Sequence, residues 1–162
     1  MIEIKDKKNC VGCTACAEIC PKKCIQMKPD EEGFLYPVVD KSRCVECNAC
    51  NTVCPIQSPV DEKEKLQKAY LVQHCDEKVR LDSSAGGAFT AIATVVLQKG
   101  GVVFGAAYDE NFHVQHTYIE AVDELKKFRN SKYVQSELGD AFCLVKSFLQ
   151  KGRWVCFSGT PC

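Results

Sequence analysis

Cysteine is the residue with the most chemistry to offer in this chain: 13 of 162 residues. Cys10, Cys13, Cys16 and Cys20, followed by Pro21, recur 34 residues later as Cys44, Cys47, Cys50 and Cys54, followed by Pro55. Each copy reads C-x2-C-x2-C-x3-C-P. Three cysteines spaced by two residues wrap one loop around three irons of a 4Fe–4S cube. The fourth, directed away by the following turn and the proline, ligates the other cluster of a two-cluster protein. This predicts one cluster on Cys10, Cys13, Cys16 and Cys54, and a second on Cys44, Cys47, Cys50 and Cys20. Structural zinc sites instead use two C-x2-C knuckles separated by a longer span, and here a run of three occurs twice. Pro21 and Pro55 fix their own φ and donate no amide hydrogen bond, so they steer the chain away from each fourth ligand. Cys24 lies outside the pattern, its counterpart being Ser58. It reads as a buried free thiol rather than a spare ligand.

The elements that hold these loops are sparse. Residues 25–28 and 34–39 flank a turn-forming PDEEG and predict a β-hairpin. A unit of 57 residues with so little apolar content needs bound metal to supply the missing core. Nine cysteines lie at or before Cys54, and the charged stretch that follows carries Pro59, which places a linker at 58–68, with room for a short helix, between a module at 1–57 and a segment at 69–162. In that segment residues 69–73, 102–107, 114–119 and 154–157 read as strands. Residues 85–98 read as a buried helix, stopped by Gly100 and Gly101. Residues 123–128 read as a short helix capped by Asp123, and 137–150 as an amphipathic helix. The fold class is α+β: a two-cluster bacterial ferredoxin-type domain followed by a truncated α/β domain.

Composition excludes several classes. Positive and negative side chains balance at 21 each over the chain and at 8 each within residues 1–60, so no basic face points to nucleic acid. The longest apolar run is too short to span a bilayer. The charged start, MIEIKDKKN, lacks the apolar stretch of a secretion signal, so a cytoplasmic, reducing compartment is expected, which disfavours a disulfide scaffold.

Ser83-Ser84-Ala85-Gly86-Gly87 precedes a predicted helix, and a serine cap followed by glycines can present amides to a phosphate. A capped buried helix explains those residues equally well. Residues 129–136 (RNSKYVQS) are a polar loop with one aromatic, and residues 158–162 (SGTPC) end a strand in a turn. SSAGGAF, GGVVFGAAYDENF, RNSKYVQSELG and FSGTPC, in this order behind a two-cluster module, resemble the coenzyme F420 hydrogenase/dehydrogenase beta-subunit family. The resemblance implies a flavoprotein that passes electrons between iron–sulfur clusters and a flavin, FAD or FMN. It further implies that Ser84, Gly86 and Gly87 match a glycine-rich stretch near the flavin, and that Ser131, Lys132, Tyr133 and Gln135 match a second polar motif. Ala85 stands where the family normally has serine. The family continues beyond the position of Cys162, so the flavin domain is expected to be incomplete, with an uncovered apolar face near residues 154–157 and the helix from Ala85.

The expected function is that of an iron–sulfur flavoprotein oxidoreductase, or its electron-transfer part, from an anaerobic setting. Its final acceptor is coenzyme F420 or another small molecule, and its partner a redox protein or larger complex. The alternative is a non-catalytic ferredoxin-type carrier or docking subunit. No G-x-G-x-x-G is present, so a nicotinamide site is not supported. His113 and His116 flank or lie on a predicted strand; His116 reads as a sheet-face residue before a cofactor contact. Cys143 and Cys156 read as core residues, and Cys75 shows no ligand spacing.

Overall fold

The computed structural model describes residues 1–59 and 68–160. Most of the expected linker, 58–68, and its possible helix lie outside the described residues, as do Pro161 and Cys162. The chain divides into two compact units, Met1–Leu66 and Gln67–Pro161. The helices and small sheets of both make the fold α+β. No helix among the described residues is long and apolar enough to cross a membrane.

In the first unit, β1 (Ile25–Pro29) and β2 (Leu35–Val39) form the expected antiparallel hairpin, with Ile25 opposite Val39. Its turn is closed by Asp30, whose carboxylate accepts from the amides of Glu32 and Phe34, while Gly33 takes the left-handed φ of +89°. Two short helices, α1 (Ala15–Ile19) and α2 (Ala49–Thr52), pack on each other. The 34-residue repeat is written into the backbone as well. Gly12 and Glu46 have φ of +62° and +52°, and Thr14 and Asn48, which precede the helices, have φ of +59° and +62°. The core of this unit is largely sulfur: of its six buried residues, four are Cys16, Cys20, Cys24 and Cys50, joined by Ile2 and Ile25.

The second unit is a three-layer sandwich around β3 (Val102–Tyr108). β4 (Val114–Ile119) pairs with it antiparallel, and β5 (Val155–Phe157) pairs parallel on its other side. Val103 and Ala107 face α4 (Ala88–Gln98) and a 3₁₀ turn, Val122–Lys127. Val102 and Phe104 face α5 (Ala141–Gln150). A strand covered on both faces reads as a continuous apolar run, as β3 does. The short α3 (Glu77–Leu81) is capped by Asp76, which accepts from the amides of Lys78 and Val79.

Several expectations are corrected. Residues 69–73 form no strand: the segment lies outside the three-stranded sheet, and just past it the His74 amide donates to the Gly86 carbonyl at 2.7 Å. The helix expected from 85 begins at Ala88, with Gly87 (φ +82°) at its cap. Neither serine caps it, because Ser83 Oγ donates to the Val79 carbonyl and Ser84 Oγ to Asn130 Oδ1. Nor is that helix buried all round, since Ile92 is 60% exposed. Asp123 caps nothing; the 3₁₀ turn starts after Ala121. The last helix begins at Ala141 rather than 137, because Glu137 extends the sheet edge: its amide donates to the Val114 carbonyl and its carbonyl accepts from the His116 amide. Cys143 is exposed, whereas Cys156 packs against the core and burial raises its thiol pKa. Ile92 and Val95 on α4, and Trp154 and Phe157 at β5, are exposed.

Candidate iron–sulfur centre and cleft

The cysteine loops enclose two recesses. One is lined by Cys20 from the first repeat together with Cys44, Cys47 and Cys50 from the second. The other is lined by Cys10, Cys13 and Cys16 from the first repeat and Cys54 from the second. The helices set this exchange. Each fourth cysteine follows a single helical turn, α1 for Cys20 and α2 for Cys54, which carries it past its own loop. The walls are apolar: Ile2, Ile4, Val11, Met27 and Pro37 line the second recess. Gly12 and Thr14 in one loop, and Glu46 and Asn48 in the other, hold left-handed φ at alternate positions.

The electrostatics follow from crowding soft donors in a dry place. Burial first, and then the neighbouring Cys13, push the Cys16 thiol up to about 11. Gathered thiolates there need a cation to offset the cost of their charge. Cys20 differs. Burial raises its pKa, but hydrogen bonds from the Cys24 amide and thiol and from the amides of Lys22 and Lys23 outweigh that and lower it. The same contact with Cys20, with burial, pushes the Cys24 thiol up to about 11. The Ile2 amide donates to Cys50 Sγ at 3.2 Å, tying the N-terminal segment to a site sulfur. Four thiols around a recess with apolar walls fit an iron–sulfur cube.

The residues expected near a flavin are partly brought together. Ser84 Oγ donates to Asn130 Oδ1 at 2.7 Å, joining the glycine-rich turn to the loop at 129–136. Beside it, Arg129 Nη1 lies 3.2 Å from Asp82 Oδ2, and Leu81, Asp82, Ser83, Lys126, Arg129 and Asn130 line an open polar cleft. Gly86 and Gly87 face inward: a Cβ at Gly86 would collide with the Val72 carbonyl oxygen, and one at Gly87 would lie 3.0 Å from His74 Cβ. Lys132 is turned back, its Nζ donating to the carbonyls of Lys127 and Arg129 at 3.0 and 2.9 Å, and burial lowers its pKa. Ser131, Tyr133 and Gln135 are exposed, Tyr133 at 95%. Asp82, Lys126, Arg129 and Asn130 were not singled out from sequence. The pair Asp82–Arg129 spans 47 positions, and no local pattern announces it.

His116 is held structurally. Its Nε2 donates to the Ser158 carbonyl at 3.0 Å, so its Nδ1 accepts from Ser136 Oγ at 2.7 Å, and the ring stacks on Phe157 with centroids 5.1 Å apart. His113 sits at the surface, 3.5 Å from Asp109.

Residues 9–58 match the 4Fe-4S dicluster domain family. This stretch is an iron–sulfur, ferredoxin-type electron-transfer module that carries 4Fe–4S clusters. A search of curated proteins returned no match to the chain.

Proposed function

We propose that the protein is an iron–sulfur flavoprotein oxidoreductase, or the electron-transfer part of one. In this reading Cys10, Cys13, Cys16 and Cys54 hold one cluster, and Cys44, Cys47, Cys50 and Cys20 the other. The observation that carries it is the composition of the two recesses, each lined by three cysteines of one repeat and the fourth of the other. The clusters supply one-electron transfer, and a flavin joins that to hydride chemistry. The chain's part is to hold the sulfurs in the two recesses, with residues 1–57 as the cluster module and 69–162 as the flavin-side domain.

The flavin assignment, FAD or FMN, draws support from the Ser84–Asn130 bond, which joins the two motifs that resemble the coenzyme F420 hydrogenase/dehydrogenase beta-subunit family. It also draws support from α4, which starts on Gly87 without a side-chain cap, an end that accommodates a phosphate. Coenzyme F420 or another small molecule then serves as final acceptor, with a redox partner protein or larger complex at the cluster module. The exposure of Ser131, Tyr133 and Gln135 favours the second reading, a ferredoxin-type carrier or docking subunit without flavin. Anaerobic purification with iron, sulfide and flavin analysis decides between them. Eight irons with one flavin per chain supports the first reading, eight irons without flavin the second, and fewer than four irons overturns both.

A further inference from the structure

The recess lined by Cys20, Cys44, Cys47 and Cys50 holds a fifth thiol. Cys24 lines it too and is 3% exposed; its Sγ lies 3.4 Å from Cys20 Sγ, and its amide donates to that same sulfur at 3.5 Å. The two repeats differ here. Four residues after Cys20 stands Cys24, whereas four residues after Cys54 stands Ser58. So one fourth-position cysteine has a thiol against it, and the other has serine, not cysteine, at this spacing.

We propose that Cys20 and Cys24 form a disulfide when the cluster on Cys44, Cys47 and Cys50 is lost to oxidation, and that this bond latches the recess against reassembly. The proposal rests on the reading of Cys20 as that cluster's fourth ligand. While Cys20 is bound to iron its sulfur is occupied. Once released, it lies in van der Waals contact with Cys24, and a disulfide asks the sulfurs to close to about 2.05 Å. The intervening Pro21, Lys22 and Lys23 form a turn, so the closure involves one small loop.

With hydrogen peroxide as oxidant, one sulfur attacks a peroxide oxygen. The O–O bond breaks, and water leaves with a sulfenic acid on that sulfur. The second thiol attacks the sulfenic sulfur, the S–O bond breaks, the S–S bond forms and a second water leaves. Two thiols and one peroxide give one disulfide and two waters; the sulfurs lose two electrons and the peroxide gains them. Cys20 is then withheld from iron until a thiol reductant reopens the bond by exchange.

The test uses the full chain, purified anaerobically and counted for iron, then stripped by chelator with hydrogen peroxide. Free thiols are alkylated under denaturing conditions, and tryptic peptides are analysed by mass spectrometry. Cleavage after Lys22 and Lys23 separates the two cysteines, so a Cys20–Cys24 bond appears as a linked peptide pair that dithiothreitol resolves. Oxidised protein given iron and sulfide without added thiol should regain about half its iron, and all of it after dithiothreitol. Cys24→Ala should show no link at Cys20 and regain about twice as much iron as the oxidised parent without the thiol. Recovery of Cys24 alkylated in the oxidised parent, or full reassembly without a thiol, overturns the latch. A chain without iron before stripping overturns the cluster reading, and with it the latch's role, while the peptide map still reports separately whether the bond forms.

Discussion

Cys20 carries the sharpest residue-scale consequence, because its sulfur lies with the second repeat although its sequence belongs to the first. Cys20→Ala should therefore damage the cluster on Cys44, Cys47 and Cys50 and spare the one on Cys10, Cys13, Cys16 and Cys54. Iron content should fall by about half, and electron paramagnetic resonance of the reduced protein should retain one cluster signal with the coupling between clusters lost; loss of the other cluster instead would reverse the ligand sets. A second residue-scale case is Asp109, which closes the β3–β4 turn by accepting from the amides of Asn111 and His113, both at 2.8 Å. Those bonds, the His113 amide first, hold its carboxyl below the usual range. A depressed folded pKa gives stability that is present above the unfolded value of about 3.9 and is lost as pH falls through the lower folded value. Asp109→Ala should therefore melt below the parent at pH 7, with the gap shrinking steadily as pH drops below about 4. A gap unchanged by acid would mean that the carboxylate's charge is irrelevant to the turn.

At the scale of elements, close approaches between backbone and side chain fix positions that alternation alone does not. Gly105 lies on β3 where a Cβ would come 2.8 Å from Phe128 Cγ, so the strand and the end of the 3₁₀ turn meet without a side chain between them. Gly105→Ala should cost about 1–3 kcal/mol, as overpacking of a filled core does, read as a lowered denaturation midpoint. No change would mean that Phe128 has room to withdraw. Such contacts mark the limit of what the sequence made legible. The hairpin at 25–39 and the strands β3, β4 and β5 were readable because period-two or continuous apolar runs sit between turn residues. The start of α4 was misplaced because Ser83 and Ser84 have the composition of a cap, while their hydroxyls bond Val79 and Asn130. The eight candidate cysteines were readable as two copies of one pattern because their spacing is local within each repeat, and they line the two recesses. The polar cleft was not, since Asp82 and Arg129 meet only through the tertiary fold.

At the scale of the whole molecule, the two units are held by different physics. The Gln67–Pro161 unit has an aliphatic and aromatic interior on both faces of its sheet, with Val102, Val103, Phe104, Ile119 and Leu125 fully buried. Among the described residues of the Met1–Leu66 unit, the buried core cluster has Ile2 and Ile25 as its hydrocarbons and four cysteines beside them. A module of this size with so small a hydrocarbon core depends on bound metal to stay folded, and removing the clusters should unfold it. Hydrogen exchange on the full chain, with clusters and after anaerobic chelation, is the measurement. Amides of α1, α2 and the β1–β2 hairpin should lose their protection together on chelation. Those of β3, β4 and α4, whose core contains no sulfur cluster, should keep theirs. Protection retained in the hairpin of the apo protein would show that the first unit folds on its hydrocarbon core alone.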